Sequence, residues 1–577
     1  MVGMNFRWQL YPAQPLLAES LARTLQISPL LAQCLINRGL TEADACRAFL
    51  EPRLSRLPDP FALPDMAAAV DRLELARARG ERVVIFGDYD VDGVTASALL
   101  QEVLQQLGWS TAVYLPRRLD EGYGLSLEAV NHCLARFPTQ LLLAVDCGST
   151  STTVIQDLQS RGIDVLVLDH HQLSQPAPPA RALINPRAQT GPHLQDVPSG
   201  ELCSVGLAFK LAHALVKRGR QQGRPEALAL DLRPLLDLVA LGTIADVVPL
   251  TGQNRILVKT GLARLNHTRR PGLQALRQIA RCPAVLDTYE VAFQLAPRLN
   301  AAGRLQTAET ALHLLQAPTP AQAEPLAQQL DAQNRERQQL ERHILEQVLS
   351  RLRSRFNPET DYVIVEGDPN WHLGVVGIVA ARLVQEFYRP TFILGGDGAT
   401  WRGSGRSIPG FDLAAALRQC SDLLLRHGGH AMAAGLSVKP DQIETLRARL
   451  NELARQTIPP EALQPGLRLD AELPLCQLTV PQILELERLK PFGLGNPAVQ
   501  LLAKNLTHHR PLHRFGPNHE HVRLWVTDGT AVLEAVWWNG GANPLPVGRF
   551  DLAFAPQLRA HNGQQQVQLR LLDWRPA

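Results

Sequence analysis

From residue 82 the chain alternates short, unbroken apolar runs with stretches whose apolar residues recur at helical spacing. RVVIFGD, STAVYLP, QLLLAVDCG and IDVLVLDHH read as strands, and VTASALLQEVLQQLG, LSLEAVNHCLARF and TTVIQDLQSRG between them as helices. Strands without polar alternation are covered on both faces, and strands separated by helices run parallel. The region therefore predicts a doubly wound parallel α/β sheet. The same rhythm returns over 360–457, with DYVIVEG, PTFILGG, WRGSGRS and HAMAAGLSV as strands and GVVGIVAARLVQEF, DLAAALRQCSDLL and QIETLRARLNELARQ as helices. Between these regions, 326–356 has no Gly or Pro and is rich in Gln, Glu, Arg and Leu, which predicts one long helix linking two domains.

The flanks read differently. Residues 1–60 suggest short helical pieces broken by Pro12, Pro15, Pro29 and Pro52, with no catalytic pattern. Residues 172–200 are dense in proline and predict a loop, after which helices resume at about 204–218 and 231–241. From about 466 onward, short β-like runs separated by turn signals predict a small barrel or sandwich. The expected organisation is an N-terminal helical segment (1–60), a first α/β domain (61–318), a connecting helix (319–357), a second α/β domain (358–460) and a β-rich domain (461–577).

Composition narrows the classes. The 577 residues are 45% hydrophobic and 20% charged, an ordinary globular balance. No apolar run reaches the roughly 18 residues that a membrane-spanning helix needs. The N-terminus lacks a basic and then apolar leader pattern, so secretion is not expected. The eight cysteines are scattered and form no CxxC pair, which fits reduced thiols in a cytoplasm. Net charge is +3, too balanced to announce a nucleic-acid binder by bulk electrostatics. Only six of the 58 basic residues are lysine; a coding bias accounts for that, although arginine also suits bidentate phosphate contacts.

The strongest chemical signal is GDYDVDG at 87–93, which sets Asp88, Asp90 and Asp92 at alternate positions just past an apolar strand. Three carboxylates so close repel one another unless a hard divalent cation neutralises them. A calcium EF-hand is excluded, because its last loop position, which must be acidic, is Leu99, and a strand rather than a helix precedes the loop. Two further strands end similarly: QLLLAVDCG delivers Asp146, and IDVLVLDHH delivers Asp169, His170 and His171. Asp246 in LGTIADVVPL follows another apolar segment. In a doubly wound sheet, ligands bind outside the carboxyl ends of the strands, so these groups converge on one edge. Mixed Asp and His donors suit two Mn2+ or Mg2+ ions and phosphoester hydrolysis.

DYDVDG, VDCG, LDHH and ADVVPL together resemble the DHH phosphoesterase superfamily. LNAAGR (299–304), WRGSGRS (401–407) and GGHAMAAG (428–435) resemble its RecJ branch and the DHH-associated second domain. The resemblance implies a single-strand-specific 5′→3′ DNA exonuclease that releases 5′-mononucleotides and acts in recombination and repair. It also implies an OB-like nucleic-acid-binding barrel at the C-terminus.

The roles it implies follow residue by residue. Asp90 and Asp146 would hold one ion. Asp92, Asp146, His170 and Asp246 would hold the other, with Asp146 bridging. Asp88 would be a further ligand or lie just behind the ligands. His171 would face the scissile phosphate, and Asp169 would orient the imidazoles. Arg118, Arg298, Asn300, Arg304, Ser404, Arg406 and His430 would bind the substrate, several of them at its terminal phosphate. Trp525, Trp537, Trp538 and Trp574 hold half of the chain's tryptophans; core packing and base stacking both suit them. The partners implied are single-stranded DNA, a single-stranded-DNA-binding protein and a RecQ-type helicase, with a monomer expected. A relative acting on short oligonucleotides or cyclic dinucleotides would keep the metal domain but tends to be shorter. A non-catalytic scaffold would have lost metal ligands.

Overall fold

The computed structural model describes residues 6–117, 120–122, 124–188, 202–561 and 563–577. They form two compact units: Ala48–Arg337 with Lys490–Pro497, and Met1–Arg47 with Gln338–Leu489 and Ala498–Ala577.

The first unit is built on a five-stranded sheet in the order Thr111–Tyr114, Val83–Gly87, Leu141–Val145, Asp164–Leu168, Ala182–Ile184, every pairing parallel. Alternate residues of the apolar runs serve opposite faces. Val83, Ile85, Leu141, Leu143, Leu166 and Leu168 pack in one cluster with the helices Met66–Ala78, Val91–Gln106, Ser204–Gln221 and Leu236–Ala245. Val84, Phe86, Leu142, Ala144, Val165 and Val167 pack in another with the helices Leu127–Arg136 and Thr152–Ser160. Coverage on both faces explains why these strands show no polar alternation. The chain leaves Val83–Gly87 for the strand on one side and later returns to the strand on the other. The carboxyl ends of Val83–Gly87 and Leu141–Val145 thus flank the topological switch point of the sheet.

Local expectations are refined at three places. The proline-rich stretch is not all loop, because Ala182–Ile184 forms the fifth strand and Pro186–Ala188 a 3-10 turn. A three-residue run between prolines is too short to announce itself by pattern. The helix expected at about 231–241 runs Leu236–Ala245, so the apolar segment before Asp246 is its last turns. The long helix begins earlier than 326 and runs Pro320–Arg355, 36 residues or about 54 Å, with Pro325 in its second turn.

The second unit contains a five-stranded mixed sheet in the order Leu424–Gly429, Ala433–Val438, Thr400–Arg406, Thr391–Asp397, Ile364–Asp368. One face packs on the helices Leu413–Arg418 and Ile443–Thr457, the other on Val376–Phe387 and the far part of the long helix. The C-terminal strands close into a barrel, because Leu501–Phe515 pairs with both His521–Thr527 and Phe550–His561. The N-terminal residues pack on this barrel. Arg7–Leu10 pairs in parallel with Gly466–Leu469, and Trp8 Nε1 donates to Asp573 Oδ2 at 2.7 Å. The four C-terminal tryptophans are not core: Trp525, Trp537 and Trp574 are half-buried and Trp538 is 48% exposed. No described helix is long and apolar enough to cross a membrane.

Candidate metal centre

Three strand ends and one helix end bring their acids together. Asp88 follows Val83–Gly87 and is buried. Asp90 caps the helix Val91–Gln106, accepting from Gly93 N at 3.1 Å, and Asp92 lies in the first turn, where the helix dipole favours a carboxylate. The turn is tight: a Cβ on Gly93 would meet Asp88 N and O at 2.7 Å, so only glycine fits. Asp146 follows Leu141–Val145 with φ +64, a left-handed turn that aspartate tolerates and that redirects its carboxylate.

The ligand-type atoms fall into three groups: Asp88, Asp90 and Asp146; Asp146, His170 and His171; and Asp92, Cys203 and Asp246. His170 Nε2 lies 3.5 Å from Asp146 Oδ1, 3.5 Å from Asp246 Oδ2 and 3.9 Å from Asp92 Oδ2. His170 Nε2 and Asp246 Oδ2 are buried yet make no hydrogen bond. Burial and then Asp90 push Asp92 up to about 7; burial and then Asp92 push Asp246 up to about 9. Burial, followed by Asp92, raises Asp146 well above the carboxylate range. Burial holds His170 neutral, down at about 4. Hard oxygens and a neutral imidazole crowded around one buried space, at a cost that only positive charge relieves, fit divalent cations of the Mn2+ or Mg2+ kind.

Several supporting residues carry no local sequence signal. The first amides of the helix Ser204–Gln221 donate to Asp92, Ser204 N at 2.7 Å and Val205 N at 2.8 Å, and Ser204 Oγ donates to Asp146 at 2.8 Å. Cys203 Sγ bonds to Thr243 Oγ1 at 3.5 Å, and its thiol is raised well above its ordinary value by burial.

Asp169 ties the two histidines down. It accepts from Ser149 N at 3.0 Å, His170 N at 2.8 Å, His171 N at 3.2 Å and His171 Nδ1 at 2.7 Å. Burial alone would raise its pKa, but the His171 bond and charge, the Ser149 bond and the His170 charge together outweigh burial and hold it below the carboxylate range. Burial works against charge on His171, but its bond to Asp169 and the charges of Asp169, Asp88 and Asp90 together outweigh it, so the imidazole sits above its ordinary value. Asp169→Asn is expected to turn an amide N–H toward these donors. Turnover should fall about 10- to 100-fold and stability by about 3 kcal/mol. Unchanged kinetics and an unchanged melting midpoint would remove Asp169 from this role.

The other residues singled out above are dispersed. Arg118 lies outside the described residues. Arg298 pairs with Asp331 at 2.9 Å and donates to Gln294 O at 2.5 Å. Asn300 Oδ1 accepts from Val91 N at 3.1 Å, and a Cβ on Gly303 would meet Tyr89 O at 2.7 Å, so LNAAGR buttresses the DYDVDG turn. Arg304, half-buried, lies in the last turn of the helix Ala296–Leu305, which carries this motif. In the second unit, Arg406 donates to Ser404 Oγ at 2.9 Å. A Cβ on Gly377, in the first turn of the helix Val376–Phe387, would come within 2.9 Å of Ser404 Oγ and 3.2 Å of Arg406 Nη2. A hydroxyl, a guanidinium and helix N-terminal amides in one place suit a phosphate. His430 N donates to Ala433 O at 2.8 Å, and Ala433 pairs with Arg406, so His430 lies in the turn that leads into the strand beside Arg406.

Comparison with known proteins agrees with both units. The DHH family N-terminal domain matches 82–243, the DHHA1 domain 360–456 and the RecJ OB domain 469–573. The single-stranded-DNA-specific exonuclease RecJ of Escherichia coli is 35% identical over 571 residues, 94% of this chain and 95% of that protein. The chain belongs to the RecJ family. The RecJ of Bacillus subtilis is 35% identical over 99% of this chain and 71% of that protein. The crystal structure of Thermus thermophilus RecJ in complex with Mn2+ superposes with a TM-score of 0.83 at 32% identity, covering 99% of this chain and 80% of that one. A RecJ structure from the same organism is a complex with Mg2+.

Proposed function

We propose that this RecJ-family protein is a single-stranded-DNA-specific exonuclease that works from the 5′ end, releases 5′-mononucleotides and acts in recombination and repair. The observation that carries the reading is the convergence of Asp88, Asp90, Asp92, Asp146, His170 and Asp246 on one buried space at the switch point of the sheet. Asp90 and Asp146, with Asp88 beside them, would hold one divalent cation; Asp92, Asp146, His170 and Asp246 would hold a second. Such a pair supplies a water acidic enough to attack at neutral pH and a Lewis acid on the phosphoryl oxygens.

The chain's own residues do the rest. Asp169 fixes His171 so that its other ring nitrogen can donate to the phosphate being cleaved. Ser204 and Val205 hold Asp92 and Asp146 at fixed angles, so the donors need no rearrangement. Ser404, Arg406, His430 and the amides beside Gly377 would receive the terminal phosphate. On the barrel, Arg510 stacks over Trp525 at 3.8 Å, and Trp538 lies 4.8 Å from His521 and 5.7 Å from Phe515. An indole under a guanidinium and an exposed indole are groups that can stack on the bases and track the backbone of a single strand.

All eight cysteines are free, which supports a reducing, cytoplasmic setting. A single-stranded-DNA-binding protein and a RecQ-type helicase would supply and present the substrate, and the protein would act as a monomer.

The test is a time course on a DNA a few tens of nucleotides long, labelled at either end, single-stranded or duplexed, with Mn2+, Mg2+ or EDTA. Immediate release of 5′ label from the single strand, gradual shortening of the 3′-labelled strand and complete block by EDTA are expected. Cleavage of di- and trinucleotides alone would overturn the reading. Within the same assay, Arg406→Ala should reduce the preference for a 5′-phosphate over a 5′-hydroxyl end by about 10-fold; an unchanged preference would place the phosphate pocket elsewhere.

A further inference from the structure

Val247 stands where its residue type costs most. The helix Leu236–Ala245 ends at Asp246, and Val247 then turns the chain through the left-handed region at φ +60. Helices commonly place glycine or asparagine there, because a Cβ in this conformation crowds the following carbonyl, and a β-branched side chain crowds it more. Packing does not account for valine, because the side chain is 63% exposed, whereas the next residue, Val248, packs against the core. The strain and the exposure fall immediately after Asp246, whose carboxylate meets His170 at 3.5 Å. Strained backbone that the fold does not require is characteristic of functional sites.

A second exposed aliphatic group is held against the same segment. Leu494 is 55% exposed and sits in a tight turn closed by the Gly493–Asn496 bridge. Its carbonyl accepts from Leu250 N at 2.8 Å, and a Cβ on Gly495 would meet Pro249 at 3.0 Å. The flank of Asp246 thus carries aliphatic surface.

We propose that Val247, at the start of the segment against which the Leu494 turn is held, is a substrate-contacting residue whose isopropyl group packs on the nucleobase of the nucleotide next to the scissile phosphodiester. The inference rests on the exonuclease reading. The acids and His170 suit the phosphate, so the next group along the strand is a sugar and its base. Every base has an apolar face, and an aliphatic side chain holds any of them without reading sequence, as an enzyme that degrades a strand of any sequence requires. The left-handed turn aims the side chain by fixing the backbone that carries both it and Asp246.

The experiment measures kcat and KM for wild type, Val247→Gly and Val247→Asn on single-stranded DNA with normal bases or with one abasic nucleotide placed in turn near the 5′ end. Glycine and asparagine both accept the left-handed conformation, so the melting midpoint should stay at or above that of wild type. Each variant should lose about tenfold in kcat/KM on normal DNA. The abasic nucleotide at one position should cost wild type the same factor and cost the variants nothing further. Wild-type kinetics in both variants, or losses that multiply with the abasic loss at every position, would overturn the contact. A lowered midpoint in both variants would assign Val247 to the fold and overturn it as well. Failure of wild type to cleave any single strand would instead remove the exonuclease reading beneath the proposal.

Discussion

Asp146→Ala is expected to lower nucleotide release by about 10⁴-fold or more, to background, while binding of single-stranded DNA changes by less than about threefold. Asp146 is the one side chain present in two of the three groups of candidate ligands, with Asp88 and Asp90 on one side and His170 and His171 on the other. Its Oδ1 lies 3.5 Å from His170 Nε2, and it accepts from Ser204 Oγ at 2.8 Å. Removing it withdraws negative charge from both candidate cation positions at once, which loss of Asp90 or Asp246 would not do. Asp146→Asn keeps the bond from Ser204 but not the charge, so it should fail nearly as badly. Strand binding survives because arginines and aromatics away from the cluster carry it. Calorimetric titration with Mn2+ should show both binding events weakened in Asp146→Ala and one spared in Asp90→Ala. Wild-type turnover in Asp146→Ala would take the shared position away from it.

What could be read from the sequence was whatever chemistry is local. An unbroken apolar strand ending in acids states both its burial and its site, and DYDVDG, VDCG and LDHH are three such statements in one region. Asp246 was legible as a residue, but the end of the helix expected at about 231–241 was not, because LDLVALGTIA is apolar all round and has no period that marks where it stops. Cys203, Ser204 and Val205 had no signal. Their role comes from where the helix Ser204–Gln221 begins in space, and no periodicity encodes that. The pairing of Arg7–Leu10 with Gly466–Leu469 joins opposite ends of the chain through backbone groups, which every sequence offers alike. Arg298 shows what a motif leaves out. It sits in a motif that suggests phosphate binding, yet it is held by Asp331, a partner on another helix.

Without divalent cations, the protein is expected to lose stability as pH rises from about 6.5 to about 9, and Mn2+ should abolish that loss. In the unfolded chain the carboxyls of Asp92, Asp146 and Asp246 ionise near pH 4. In the fold, burial and then Asp90 hold Asp92 protonated up to about 7, and burial and then Asp92 hold Asp246 protonated up to about 9. Asp146 is raised in the same sense, by burial and then Asp92. Over this range the folded state binds protons that the unfolded state has released, so the unfolding free energy falls with pH. His170 has the opposite sign. Burial holds it down at about 4, so it adds stability only as pH climbs from about 4 to its unfolded value near 6.5. Above that point the carboxylates are opposed by Lys210, which burial holds down at about 8 and which adds stability only from about pH 8 upward; the net loss by pH 9 should still be on the order of 3 kcal/mol, or about 10 °C in the midpoint of the first unit. A bound divalent cation replaces the protons and stabilises the charged form, by about 4 kcal/mol when free Mn2+ exceeds its dissociation constant a thousandfold. Scanning calorimetry from pH 6.5 to 9 in EDTA and in Mn2+ tests both halves. The EDTA midpoint should fall while the Mn2+ midpoint stays level or rises, so the gap widens with pH. Asp246→Asn should raise the EDTA midpoint at pH 9 and shrink the response to Mn2+, because it removes a buried charge and a donor together. An EDTA midpoint that climbs toward pH 9, or a gap that does not change with pH, would mean that these carboxyls are not held against their charge and that the buried space is not a cation site.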